Sequence, residues 1–106
     1  MTLYDICQEV AEIEEGLLYG KIQFEYDNLM CAMKPGHPGD LLDDVLSEIG
    51  WDAFEGKPVE LERVKEWVKD LKSFKSAFKI KELSKPIKHA QEYIREQENE
   101  NPQEAK

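Results

Sequence analysis

Four side chains in this sequence could supply a nucleophile, a base or a soft metal ligand: Cys7, Cys31, His37 and His89. A zinc site built from two thiolates and two imidazoles needs ligands paired a few residues apart, and none of the four has such a neighbour. A cysteine nucleophile needs a base and an orienting partner. His37 is the one base near Cys31 in sequence, but no glycine-rich turn follows the cysteine to open a helix and form an oxyanion site. Both cysteines fall inside apolar helical patterns and read as reduced core thiols, while both histidines read as surface imidazoles. No catalytic residue, metal site or cofactor follows from this set, and the expectation is a protein that is not an enzyme.

The carboxylates lead to the same place. Asp40, Asp43, Asp44 and Glu48 cluster locally, but a calcium loop needs alternating ligands around a central glycine and a closing glutamate. Acids in a first helical turn more commonly balance the helix dipole. Gly16, Gly20, Gly36, Gly39, Gly50 and Gly56 are scattered at expected helix ends and form no phosphate cradle.

What remains is charge. The 106 residues carry a net −9, distributed unevenly: residues 1–62 hold 15 acids and 3 bases, residues 63–96 hold 5 acids and 10 bases, and residues 97–106 add −2. A chain divided into −12 and +5 regions suits charge-steered association. Two surfaces are therefore candidates for binding. The basic and aromatic one comprises Arg63, Lys65, Trp67, Lys69, Lys72, Phe74 and Lys79. The acidic one comprises Glu9, Glu12, Glu15, Asp43, Asp44 and Glu48.

The functional expectation is a protein-interaction module, a small regulator, adaptor or inhibitor that docks on a protein partner. Nucleic-acid binding through residues 63–88 is the alternative, and imitation of nucleic acid by the acidic face the third reading. Association of copies through the apolar seam from Leu61 to Phe78 is a further possibility.

These surfaces need elements to hold them. Hydrophobic residues make up 41% and charged residues 35% of the chain, enough for one modest core. No run of roughly 18 apolar residues is present to span a membrane. The start lacks the basic region of a signal peptide, so the expected location is cytoplasmic.

Thr2 and Asp5 open a helix whose apolar stripe is Leu3, Ile6, Val10, Ile13 and Leu17. Between Lys21 and Asp27, Ile22, Phe24 and Tyr26 alternate with polar residues as in a strand. The longer series Leu18, Ile22, Tyr26, Leu29, Met30 and Met33 favours a second helix, because no strand partner exists elsewhere. The helical pair 2–34 then meets a Pro/Gly break at 35–39.

Asp40 is the expected cap of a third helix ending at Gly50, with Trp51 to Phe54 a separate turn whose rings cover the core. Pro58 fits the opening of a fourth helix, carrying Leu61, Val64, Val68, Leu71 and Phe78. Ser84-Lys85-Pro86 restarts the chain as a fifth helix, and residues 97–106 read as a disordered acidic tail. The expected architecture is all-α: a single domain over residues 1–96, an irregular or orthogonal bundle of four to five helices.

Overall fold

The computed structural model describes residues 2–25 and 37–100, and the fold they form is all-α, with no strand among them. Four helices carry the fold: α1 (Leu3–Leu18), α2 (Pro38–Phe54), α3 (Leu61–Phe78) and α4 (Ser84–Glu100), with a short 3-10 turn, Lys81–Leu83, before α4. The second helix expected around Leu29 to Met33, and Cys31 with it, falls outside the described residues.

Local chemistry sets the helix ends. Thr2 Oγ1 accepts the Asp5 N–H at 3.2 Å, while the Asp5 carboxylate accepts the Thr2 N–H at 3.3 Å, so two orphan amides of α1 are satisfied reciprocally. α1 and α2 then stop in the same way. Gly20 and Gly56 both take a left-handed φ of 75°, the conformation glycine adopts without a side-chain clash. Lys21 N–H bonds Gly16 O at 2.7 Å, and Lys57 N–H bonds Asp52 O at 2.8 Å, each closing its last turn.

Neighbouring helices run antiparallel. Tyr4 at the start of α1 meets Phe54 at the end of α2 with ring centroids 5.4 Å apart. Leu18, at the other end of α1, lies over Gly39, where an added Cβ would sit 2.6 Å from the leucine side chain. Lys65 near the start of α3 pairs with Glu98 near the end of α4. Packing runs α1 to α2, α2 to α3, α3 to α4, and back from α4 to α1, which closes the bundle.

One core fills the ring. Ile6, Val10 and Leu17 meet Leu42, Leu46 and Ile49, Val64, Trp67, Leu71 and Phe78, and Ile80, Leu83 and Ala90. Among the described residues no polar or charged side chain is fully buried, so hydrophobic burial dominates, at about 1.5–3 kcal/mol per fully buried large side chain. Helices of this length are marginal alone, and shared burial holds them.

Several expectations are corrected. Residues 21–25 are not helical. Ile22 and Phe24 are half-buried while Lys21, Gln23 and Glu25 are exposed, so the two-residue alternation survives without a strand partner. The backbone finds other acceptors: Lys21 and Ile22 bond Gly16 O, and Glu25 N–H bonds Phe78 O at 2.7 Å.

α2 opens inside the Pro/Gly break rather than at Asp40. His37 is its N-cap, its Nδ1 accepting the Gly39 N–H at 3.0 Å, and Pro38 takes the first helical position that its fixed φ suits. Gly50 does not end it. The helix continues through Phe54, and Trp51 is 71% exposed instead of covering the core. α3 begins at Leu61, three residues after Pro58. α4 passes the expected boundary at residue 96 and ends at Glu100.

Candidate functional site

On the basic face the structure separates the lysines from the aromatics. Trp67 is 0% and Phe74 6% exposed, so neither can meet a partner. Trp67 lies in the core, and its indole N–H donates to Val45 O at 3.0 Å, binding α3 to α2. Their interleaving with the lysines of the helix is what assigns them to the basic face in the sequence. The bundle is deep enough to absorb that side of the helix as well. The seam itself is consumed, with Val64, Val68, Leu71 and Phe78 buried within this chain, so it offers no surface to a second copy.

Arg63 and Lys65 are occupied too. Arg63 Nη1 reaches Asp52 Oδ2 at 3.0 Å and Nη2 donates to Glu48 O at 2.7 Å, a fork that fastens the first turn of α3 to the end of α2. Lys65 pairs with Glu98 at 3.4 Å and Glu62 at 3.6 Å. The hydrogen bond and charge of Glu98 hold its ammonium above the ordinary value. Lys69, Lys72 and Lys79 remain exposed, without an ion pair among the described residues. Lys79 caps α3 in a left-handed conformation, φ 57°.

The acidic residues do not form one face. Glu9 and Glu12 line a cleft of about 480 Å³ at the junction of α1 with the start of α4, together with Ile13, Ile22, Lys81 and Lys85. Glu9 is largely covered there, with Oε1 2.7 Å from His89 Nδ1 and Oε2 3.6 Å from Lys85 Nζ. His89 is thus half-buried and partnered, in contrast to its expected place at the surface. Glu15, Asp43, Asp44 and Glu48 are exposed elsewhere on α1 and α2.

Two features escaped the reading of the residues. The first is an aromatic cluster at the end of the bundle where α1 begins and α2 finishes. Tyr4 is 50%, Trp51 71% and Phe54 38% exposed, Tyr4 stacks edge-on against Phe54, and Trp51 lies one turn away on the same helix. A signal was present. Once α2 continues through Gly50, its core series is Leu42, Leu46, Ile49 and Ala53, and Trp51 falls outside it.

The second feature is Glu14. Burial pushes its carboxyl up to about 7, with further contributions from the charge and hydrogen bonding of Asp43, then Glu15 and Asp40. Glu14 flanks the stripe between Val10 and Leu17, so contact with α2 was foreseeable from position alone.

Burial pushes the Cys7 thiol up to about 12, which keeps it neutral and unsuited to nucleophilic work. Cys31 has no described geometry, so the Cys31–His37 pair has none either, and His37 Nδ1 is engaged as a cap acceptor. Among the described residues no three His, Cys, Asp or Glu side chains are gathered to hold a metal ion, and no helix is long and apolar enough to cross a membrane. No family model, curated protein or solved structure matches the chain.

Proposed function

We propose that this protein is a non-enzymatic interaction module, a small cytoplasmic regulator, adaptor or inhibitor that docks on another protein. The observation that carries the reading is the aromatic cluster of Tyr4, Trp51 and Phe54. Large rings exposed side by side bury much area at little entropic cost, and Trp and Tyr dominate the centres of protein interfaces. The helices that present them, α1 and α2, contain ten carboxylates and no lysine or arginine. The partner this surface fits has an apolar pocket with a basic surround. Glu15, Asp43, Asp44 and Glu48 supply the steering charge on the acidic side.

Affinity capture from cells that make the protein tests this reading. A specific partner should be recovered with the wild type and with Lys69→Glu, and lost with Trp51→Ala. A partner retained by Trp51→Ala overturns the aromatic surface. Sedimentation velocity of the same three proteins shows whether the partner is a second copy.

Nucleic-acid binding along residues 63–88 is the second reading, supported by the ion-pair-free Lys69, Lys72 and Lys79. With Trp67 and Phe74 in the core it has phosphate contacts but no stacking platform. Affinity for duplex DNA that is absent at low salt, or unchanged by Lys69→Glu with Lys72→Glu, rules it out.

A further inference from the structure

A groove between α3 and the first turns of α4 shares only Lys72 with the candidate basic face. Lys72, Lys75 and Ser76 line it from α3, and Ser84, Lys88 and Gln91 from α4, around a space of about 370 Å³. Its floor is Ile87, which is buried. The polar lining is rich in donors: three ammonium groups, two hydroxyls and a carboxamide. No carboxylate lines it. Among the described residues none of the three lysines has an ion-pair partner, in a chain where acids outnumber bases 23 to 14. Three like charges gathered in one groove repel one another, and an anion placed between them relieves that repulsion.

We propose that this groove is a binding site for a phosphate group, carried as a phosphomonoester or a diphosphate. The donor types select the anion. Lysine offers a compact point charge with three donors, matched to the clustered acceptor oxygens of a dianion. The arginine fork that grips a planar carboxylate in two-point fashion is absent from the lining. Bases of nucleic acid find nothing to stack on, because no aromatic ring or guanidinium borders the groove and the rings of α3 point into the core.

Placement removes the objection that a chain of net −9 should repel such a ligand. In the closed ring of helices the outer groove of α3 and α4 lies across the bundle from α1 and α2, which hold the ten carboxylates. A helix diameter of about 10 Å already exceeds the screening length of about 8 Å in physiological salt.

The test is an amide NMR titration of the full chain with pyrophosphate, comparing the wild type, the double variant Lys72→Gln/Lys88→Gln, and Lys69→Gln, which lies outside the groove. All the substituted lysines are exposed, and unchanged helical circular dichroism confirms that each variant is folded. The expected result is saturable shifts at Ser76, Ser84 and Gln91, weakened about tenfold or more by the double variant and less than about twofold by Lys69→Gln. A phosphoserine peptide that binds where its unphosphorylated form does not, and is displaced by pyrophosphate, supports the site with a protein-borne phosphate. Binding of pyrophosphate without the peptide supports it with a small free phosphate compound. The proposal is overturned by the absence of saturable shifts, by equal loss in Lys69→Gln, or by a DNA duplex that binds more tightly than either ligand through the same lysines.

Discussion

The pair α1 and α2 and the stretch from Lys69 to Gln91 divide the chemistry of this bundle between them. The first contains ten carboxylates and no lysine or arginine, and it exposes Tyr4, Trp51 and Phe54. The second contains seven lysines against two acids, and its aromatic residues, Phe74 and Phe78, are buried along with Trp67, two turns before Phe74. Apolar exposure thus accompanies negative charge, and positive charge is presented with no large ring beside it. An interface at the first region can be anchored by burial and steered by charge; one at the second is purely electrostatic and fades with salt. The difference arises from packing. α3 has helices on two sides and turns Val64, Trp67, Leu71, Phe74 and Phe78 toward them, so its outward face keeps little besides lysine and acid. At the end of α2, no described element covers Trp51.

The two tryptophans give the sharpest way to break this comparison. Trp67→Ala removes a fully buried ring and leaves Val45 O without its donor. It should lower unfolding free energy by about 3–5 kcal/mol, read as a fall in urea midpoint. Trp51→Ala removes a largely exposed ring and should change stability by less than about 0.5 kcal/mol. Comparable destabilisation by both would mean that the α2 end is core, and the aromatic docking surface would be lost with it.

That pair also marks how far the residues alone could be read. The three-four spacing of Leu3, Ile6, Val10, Ile13 and Leu17 and of Leu61, Val64, Val68 and Leu71 identified α1 and α3, because a helix that buries an apolar stripe repeats it at the helical period whatever the stripe's width. Trp67 and Phe74 were misplaced because α3 is packed on more than one side, and the width of a buried stripe depends on neighbours that local spacing does not reveal. Residues 21–25 show a different limit. Their alternation reported which side chains face inward, but alternation was equated with pairing, and the amides are in fact met by Gly16 O and Phe78 O. Gly50 read as a stop although nothing in a helix interior forbids glycine. Gly20 and Gly56, each followed by lysine, are the true stops, and only their positive φ distinguishes them. The candidate lysines were legible as a charged stripe. Their division into occupied Arg63 and Lys65 and ion-pair-free Lys72 and Lys88 depends on where Asp52 and Glu98 arrive from distant helices.

The seam where the acidic and basic regions touch provides the next test. Glu9 bridges His89 and Lys85, one carboxylate oxygen to each, and its side chain is 15% exposed. If this contact couples α1 to α4, a double-mutant cycle of Glu9→Gln and His89→Ala should return an interaction energy of about 1–2 kcal/mol. The matching cycle on Lys57 and Glu55, an exposed pair 2.9 Å apart, should return about 0.5 kcal/mol or less. Equal values would show that the cover around Glu9 adds nothing, and the two charged regions would then be joined by the apolar core alone.

Glu14 tests the acidic pair from within, through pH. Its carboxyl is raised from 4.5 to about 7, first by burial and then by Asp43, with Glu15 and Asp40 adding repulsion. The native chain therefore holds a proton at Glu14 between about pH 4.5 and 7 that the unfolded chain has released. Below that window the group is neutral in both states and costs nothing. Above it the native state bears the full penalty of a charge facing Asp43, so stability falls as pH rises through the window. Full conversion of the displacement would be about 3 kcal/mol, and solvent reaching this half-buried group screens it to about 1 kcal/mol. Glu14→Gln keeps the shape and removes the charge. It should gain that stability at pH 8 and show none of the gain at pH 4, measured by chemical unfolding at both values. A gain that is the same at both pH values would trace to packing instead, and the crowding of carboxylates between α1 and α2 would carry no energetic cost.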